Sequence, residues 1–192
     1  MLLRLSADQM NFLQTILILA AAFLAVFGEA TLPVLHHWLG AQVDLLPVLM
    51  VYAALNADIA TVSLLAVLGG LWFDALSANP LGISILPLFA VGFVIYLRRD
   101  LILRELLFAQ LVLGTLASAI VPVMSILLLL TAGKQPLLGW GSIWQWLVMT
   151  AGGAAATPFV FALFNWCNRS LGYQPRVDPG FRPDREIRRG RI

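Results

Sequence analysis

The sequence predicts an all-α integral membrane protein, a bundle of six transmembrane helices. Three observations carry this reading. Of 192 residues, 60% are hydrophobic and 11% are charged, where an ordinary soluble domain has about 45–50% and about 25%. The apolar residues fall in long runs separated by short polar, Pro or Gly breaks. The basic residues fall at alternate breaks and at the carboxyl end, as the positive-inside bias of membrane proteins requires.

The first helix spans residues 12–35. Its apolar run is longer than the apolar core of a signal peptide, about 7–15 residues, and more membrane sequence follows it, so cleavage is not expected. Pro33, His36, His37 and Trp38 mark its outer end. After a polar break at residues 40–44, apolar character runs from Leu45 to Leu76, interrupted by Asn56 and Asp58. One helix over residues 45–76 would be roughly 48 Å long, against a hydrocarbon core of about 30 Å. The excess predicts two helices, 45–56 and 59–76, the first short and tilted or bent.

Ser77-Ala78-Asn79-Pro80 is a turn signal. Helix 4 follows over 82–97 with Pro87 inside it, then the Arg98-Arg99-Asp100 break. Helix 5 covers 106–131, with Pro122 as a kink point. Helix 6 covers 142–166 after a loop carrying Lys134 and Pro136. Residues 1–168 thus form the membrane domain. Residues 169–192 form a tail rich in Arg, Pro and Gly, a composition that favours disorder.

With six helices and the amino terminus in the cytoplasm, eleven of the twelve basic residues lie inside and only Lys134 lies outside. Merging helices 2 and 3 would put either the start of the chain or the Arg98 loop on the wrong side. Trp38, Trp140, Trp144 and Trp146 fall near outer helix ends, where an aromatic belt is expected. The predicted location is therefore a bacterial inner membrane, multi-pass, with both termini cytoplasmic. Beside membrane spans, the arginine clusters point to topology and to anionic lipids at the basic tail rather than to nucleic acid.

Ionisable residues inside apolar runs are costly and mark candidate sites. Glu29, Asp58 and Asp74 are such residues. A proton relay, a ligand contact or a partner contact would use their charge. Capping a neighbouring helix or bonding the next loop would use only their oxygens. No Gly-x-Ser-x-Gly, His-Glu-x-x-His or phosphate-binding glycine loop is present. Neither a catalytic set nor a cofactor or metal site is expected, and the single cysteine, Cys167, excludes an internal disulfide. Small residues at four-residue spacing, Gly114 with Ser118 and Gly152 with Ala156, predict close helix packing. That packing would be within the bundle or against another protein's helix.

Asp44-Leu45-Leu46-Pro47, then Leu68-Gly69-Gly70-Leu71-Trp72-Phe73-Asp74, then Pro80-Leu81-Gly82 resembles the rod shape-determining protein MreD family. That family typically has a Pro near the start of the second span and a Gly-rich helix ending in Asp. A Leu-Gly then opens the next helix. The resemblance covers residues 44–97 and singles out Asp74, Gly69, Gly70, Pro47 and Gly82. Here Asp44 precedes Pro47 by three residues, where the family often has an acidic or polar residue beside the proline.

The resemblance implies a non-catalytic component of the machinery that builds the lateral cell wall. It would bind a membrane-anchored scaffold of MreC type. Through that scaffold it would meet a RodA-type glycosyltransferase with its penicillin-binding protein, and MreB filaments. It also implies a fold similar to the substrate-binding subunits of energy-coupling-factor transporters. That similarity supplies an alternative role, capture of a vitamin-type small molecule.

The predicted topology is testable by cysteine labelling at Gln42, Gln135 and Ser170 in a Cys167→Ser background. The first two should react with an impermeant thiol reagent in intact cells and the third only after permeabilisation. Labelling of Ser170→Cys in intact cells would refute the orientation.

Overall fold

The computed structural model describes residues 2–31, 43–77, 80–102, 106–134 and 139–170. Several sequence landmarks lie outside the described residues: Pro33, His36, His37, Trp38, the loop at Gly40, Asn79, Arg104, Gln135, Pro136 and the tail from Leu171. Among the described residues there are six α-helices and no strand. They are α1 (Leu2–Thr31), α2 (Leu46–Asn56), α3 (Ile59–Leu76), α4 (Ile85–Arg98), α5 (Leu107–Thr131) and α6 (Trp140–Ser170), with a 3-10 turn at Arg99–Leu101.

Four segments are long and apolar enough to cross a membrane: Phe12–Thr31, Ile59–Leu76, Leu107–Thr131 and Trp140–Arg169. The six expected helices are present among the described residues, and two of them are shorter than a full span: α2 and α4 have 11 and 14 residues. Large apolar side chains such as Leu24, Phe89, Leu97, Leu127 and Phe159 stand exposed on the outer helices. In water such a surface would drive association, whereas in a bilayer it meets lipid.

The short helix α2 is the centre of the molecule. Every residue from Leu46 to Leu55 is buried, and α2 packs against all five other helices. A helix that is apolar on every side belongs inside a bundle, and this one is roughly 16 Å long. It is short, as its sequence suggested. The surrounding helices shield it from lipid and it needs no full span.

Both ends of α2 are closed by side chains from other segments. At its start the backbone N–H of Leu46 donates to Asp44 Oδ1 (2.9 Å) and that of Leu45 to Glu29 Oε1 (2.8 Å). Pro47, in the first turn, has no N–H to satisfy. At its end, Gln14 Nε2 donates to the Asn56 carbonyl (3.1 Å) and Arg99 Nη1 to the Ala57 carbonyl (3.2 Å). These contacts sort the polar groups into two ends. Gln14, Asn56 and Arg99 lie at one end with Asn168, and Glu29 and Asp44 lie at the other.

Helix boundaries shift where local chemistry dictates. Residues 81–84 form a turn with Gly82 at φ +94°, so α4 starts at Ile85 rather than at residue 82. Pro87 then sits in the first turn, where a missing N–H breaks no helical bond. The last helix continues past Trp166 to Ser170, so Asn168 belongs to α6 and not to the tail. Asn168 is buried and its Nδ2 donates to the Tyr52 hydroxyl (3.2 Å). The Tyr52 ring packs on Phe161 and Phe164, at centroid distances of 5.1 and 4.3 Å. Tyr52 thus fastens α6 to α2.

The closest helix pair is α5 with α6. A Cβ at Gly114 would collide with Thr157 and meet the Gly153 carbonyl oxygen at 3.0 Å, and a Cβ at Gly153 would collide with Ser118. A Cβ at Gly152 would press on Val43 at 2.7 Å. Gly114, Ser118 and Gly152 are therefore engaged inside the bundle, and Ala156 packs against its core. Gly153, not singled out from the four-residue spacing, is equally engaged. Gly114→Leu should consequently unfold the bundle itself, with a loss of about 1–3 kcal/mol or more from overpacking. Thermal unfolding in detergent checks this, with Gly114→Ala expected between wild type and Leu. A wild-type midpoint for Gly114→Leu would refute close α5–α6 packing.

Candidate functional site

The polar groups with potential for chemistry gather at the end of the bundle where α3 ends and α2 and α4 begin. Asp74 lies one turn from the end of α3 and is 1% exposed. Its Oδ2 accepts the backbone N–H of Gly82 (2.8 Å) and of Ser84 (3.1 Å), and its Oδ1 accepts the Ser84 hydroxyl (2.5 Å). The positive φ of Gly82 turns the chain so that both N–H groups face the carboxylate. Asp74 thus holds, from α3, the turn that leads into α4 and its N-cap residue Ser84, where acceptors offset both the free donors and the helix dipole.

The flanking glycines bring the helices close enough for this bond. A Cβ on Gly70 would meet the backbone of Ile85 at 3.0 Å, and one on Gly69 would meet Leu46 Cδ2 at 2.9 Å. Gly69 therefore seats α3 on α2, and Gly70 seats it on the start of α4. Gly92 does the same for α4 against Met50 of α2. Nothing in the spacing of the sequence distinguished Gly92, since its partner is distant in the chain.

Glu29 and Asp44 meet beside the start of α2. Asp44 is 6% exposed. Glu29 places one oxygen on Leu45 N, and its other oxygen is buried without a hydrogen bond. The sequence marked Glu29 alone; the fold brings it beside Asp44, since Glu29 accepts the N–H of Leu45, the next residue. Asp58 is separate from all of these. It precedes α3 at the opposite end and is exposed. The polar group formed in sequence by Asn56, Asp58 and Asp74 is thus divided between the two ends, and Asn79 lies outside the described residues.

Asp44 and Ser84 also face a cavity of about 220 Å³ enclosed by α2 to α6. Ser125 adds a hydroxyl, and Phe73, Pro122 and Met149 form part of a mostly apolar wall. Among the described residues no three His, Cys, Asp or Glu side chains converge on a point that would hold a metal ion. The chemistry at this end is acceptance of backbone hydrogen bonds. Asp44, Glu29 and Asp74 between them satisfy the N–H groups of residues 45, 46, 82 and 84.

Asp74→Asn should be mild. An amide oxygen still accepts both N–H groups, and the amide NH2 donates to Ser84 Oγ once that hydroxyl turns. Asp74→Ala leaves those donors unpaired at about 1–3 kcal/mol each. Thermal unfolding of the purified variants should rank wild type, Asn and Ala in that order, with Asn much nearer to wild type. Equal loss in Asn and Ala would mean that the charge itself is needed.

No family model, no curated protein and no solved structure matches this chain.

Proposed function

We propose that this chain is a non-catalytic membrane component of the bacterial machinery for cell elongation and lateral peptidoglycan synthesis. It would act by binding a membrane-anchored scaffold of MreC type. The observation that supports this most is the role of the residues shared with the MreD pattern. Pro47 opens the central helix, Gly69 and Gly70 seat α3 against α2 and α4, and Asp74 holds the turn into α4 through Gly82. The pattern over residues 44–97 is thus a coherent packing unit, in which each marked residue holds helices and none is poised to react. A scaffold needs such a rigid centre and a broad apolar exterior. The same reading places the protein in the inner membrane with both termini cytoplasmic, on the distribution of basic residues. The arginine-rich tail would lie against anionic lipid.

The cavity beside Asp44 favours a second reading, a substrate-binding subunit of a small-molecule transporter. Its volume, about 220 Å³, is below the roughly 300–1,000 Å³ of usual ligand pockets. Three polar residues on an otherwise apolar wall are also few for a vitamin. The scaffold role is therefore preferred.

Depletion in a rod-shaped host should make cells widen and round up, with lateral wall synthesis impaired. Microscopy together with labelling of new peptidoglycan reads this directly. Normal rods after verified depletion, without a second copy of the gene, would refute the scaffold role. Intact shape with a new requirement for one external nutrient would identify the transporter role instead.

A further inference from the structure

Between α4 and α5 the exterior of the bundle is not smooth. A furrow of about 420 Å³ runs from Arg98 and Leu113 at one end to Ala90 and Met124 at the other. Its floor is low because Val91 and Ala117 are buried and small, and its sides include Val94 and Ile120. Residues 90–98 of α4 rise roughly 12 Å and residues 113–124 of α5 roughly 16 Å. That length is about half of the 30 Å hydrocarbon core. The furrow is therefore as deep as one leaflet and too short for a complete partner helix.

Its one charged residue is at the end nearest the membrane surface. Arg98 is exposed and makes no ion pair among the described residues. The adjacent Arg99 is already committed, with Nη1 on the Ala57 carbonyl and its guanidinium 4.3 Å from the centre of the Tyr96 ring. An apolar trough of leaflet length with an exposed guanidinium at its head matches the shape and charge of a phospholipid.

We propose that the α4–α5 furrow binds one anionic phospholipid of the leaflet on the Arg98 side, with an acyl chain in the trough and the phosphate on Arg98. Arginine suits this position because its planar fork donates two hydrogen bonds to a phosphate. The apolar trough alone would accept any acyl chain. The cation supplies the preference for an anionic head group.

The test compares phosphatidylglycerol with phosphatidylcholine on the intact protein in nanodiscs of defined composition, with retained lipid counted by native mass spectrometry. Wild type should favour phosphatidylglycerol over phosphatidylcholine. Arg98→Gln should lower that preference by about fivefold, the worth of one cation at an anionic surface, and still retain lipid. Val94→Trp fills the trough from a position that is 58% exposed, so it should lower retention of both lipids at an unchanged melting temperature. Lys134→Gln, at the opposite end of α5, should change neither. An undiminished preference in Arg98→Gln, or undiminished retention in Val94→Trp, would overturn the proposal. So would a Val94→Cys variant that crosslinks in cells to another protein's helix rather than to lipid.

Discussion

The structure depends on closing the two ends of a helix whose residues from Leu46 to Leu55 are all buried. An unpaired backbone group in an apolar medium costs several kcal/mol, and any helix leaves up to four donors and four acceptors without internal partners. For α2 both ends fall within the bundle, so neighbouring segments must answer them. Acidic side chains stand at the donor end, Glu29 and Asp44, and donors stand at the acceptor end, Gln14 and Arg99. This polarity also matches the helix dipole, positive at its start and negative at its end. The same solution recurs at α4, where Asp74 holds the turn that leads into the helix.

Seen this way, two of the acidic residues embedded in apolar sequence have a structural task, Asp74 and Asp44. Ionisable groups at membrane depth are functional candidates by default, but that expectation assumes that their charge has no structural task. Here Asp74 uses both oxygens on three donors. Asp44 accepts from the helix it precedes. Glu29 keeps one buried oxygen without a hydrogen bond among the described residues.

The helices were legible because each apolar run and each Pro, Gly or charged break has a local cause. The separation of α2 from α3 followed from length and from the distribution of basic residues, and Ala57-Asp58 forms the break. The small residues Gly114, Ser118 and Gly152 were legible as packing positions, though spacing could not say which surface they meet. What sequence could not supply was the third dimension. Nothing local reveals that an eleven-residue helix is surrounded on every side, that Glu29 reaches the start of α2, or that Asn168 bonds Tyr52 across 116 residues of chain. Hydropathy ends helix 6 at residue 166 because it weighs composition, while α6 runs on to Ser170 and buries Asn168 against Tyr52.

These constraints bear on how such a protein can act. Its small-residue contacts hold its own helices, so a partner helix would meet larger side chains such as Phe89, Phe93 and Leu97 on α4 or Phe23 and Leu24 on α1. Contacts of that kind are extensive and weak per atom, and they compete with lipid, which is equally apolar. Specificity must then come from shape and from the few polar groups at the helix ends. The central helix makes that possible. By fixing five neighbours to one axis it gives the lipid-facing surface a constant relief, and binding is selective only where the surface bound keeps its form.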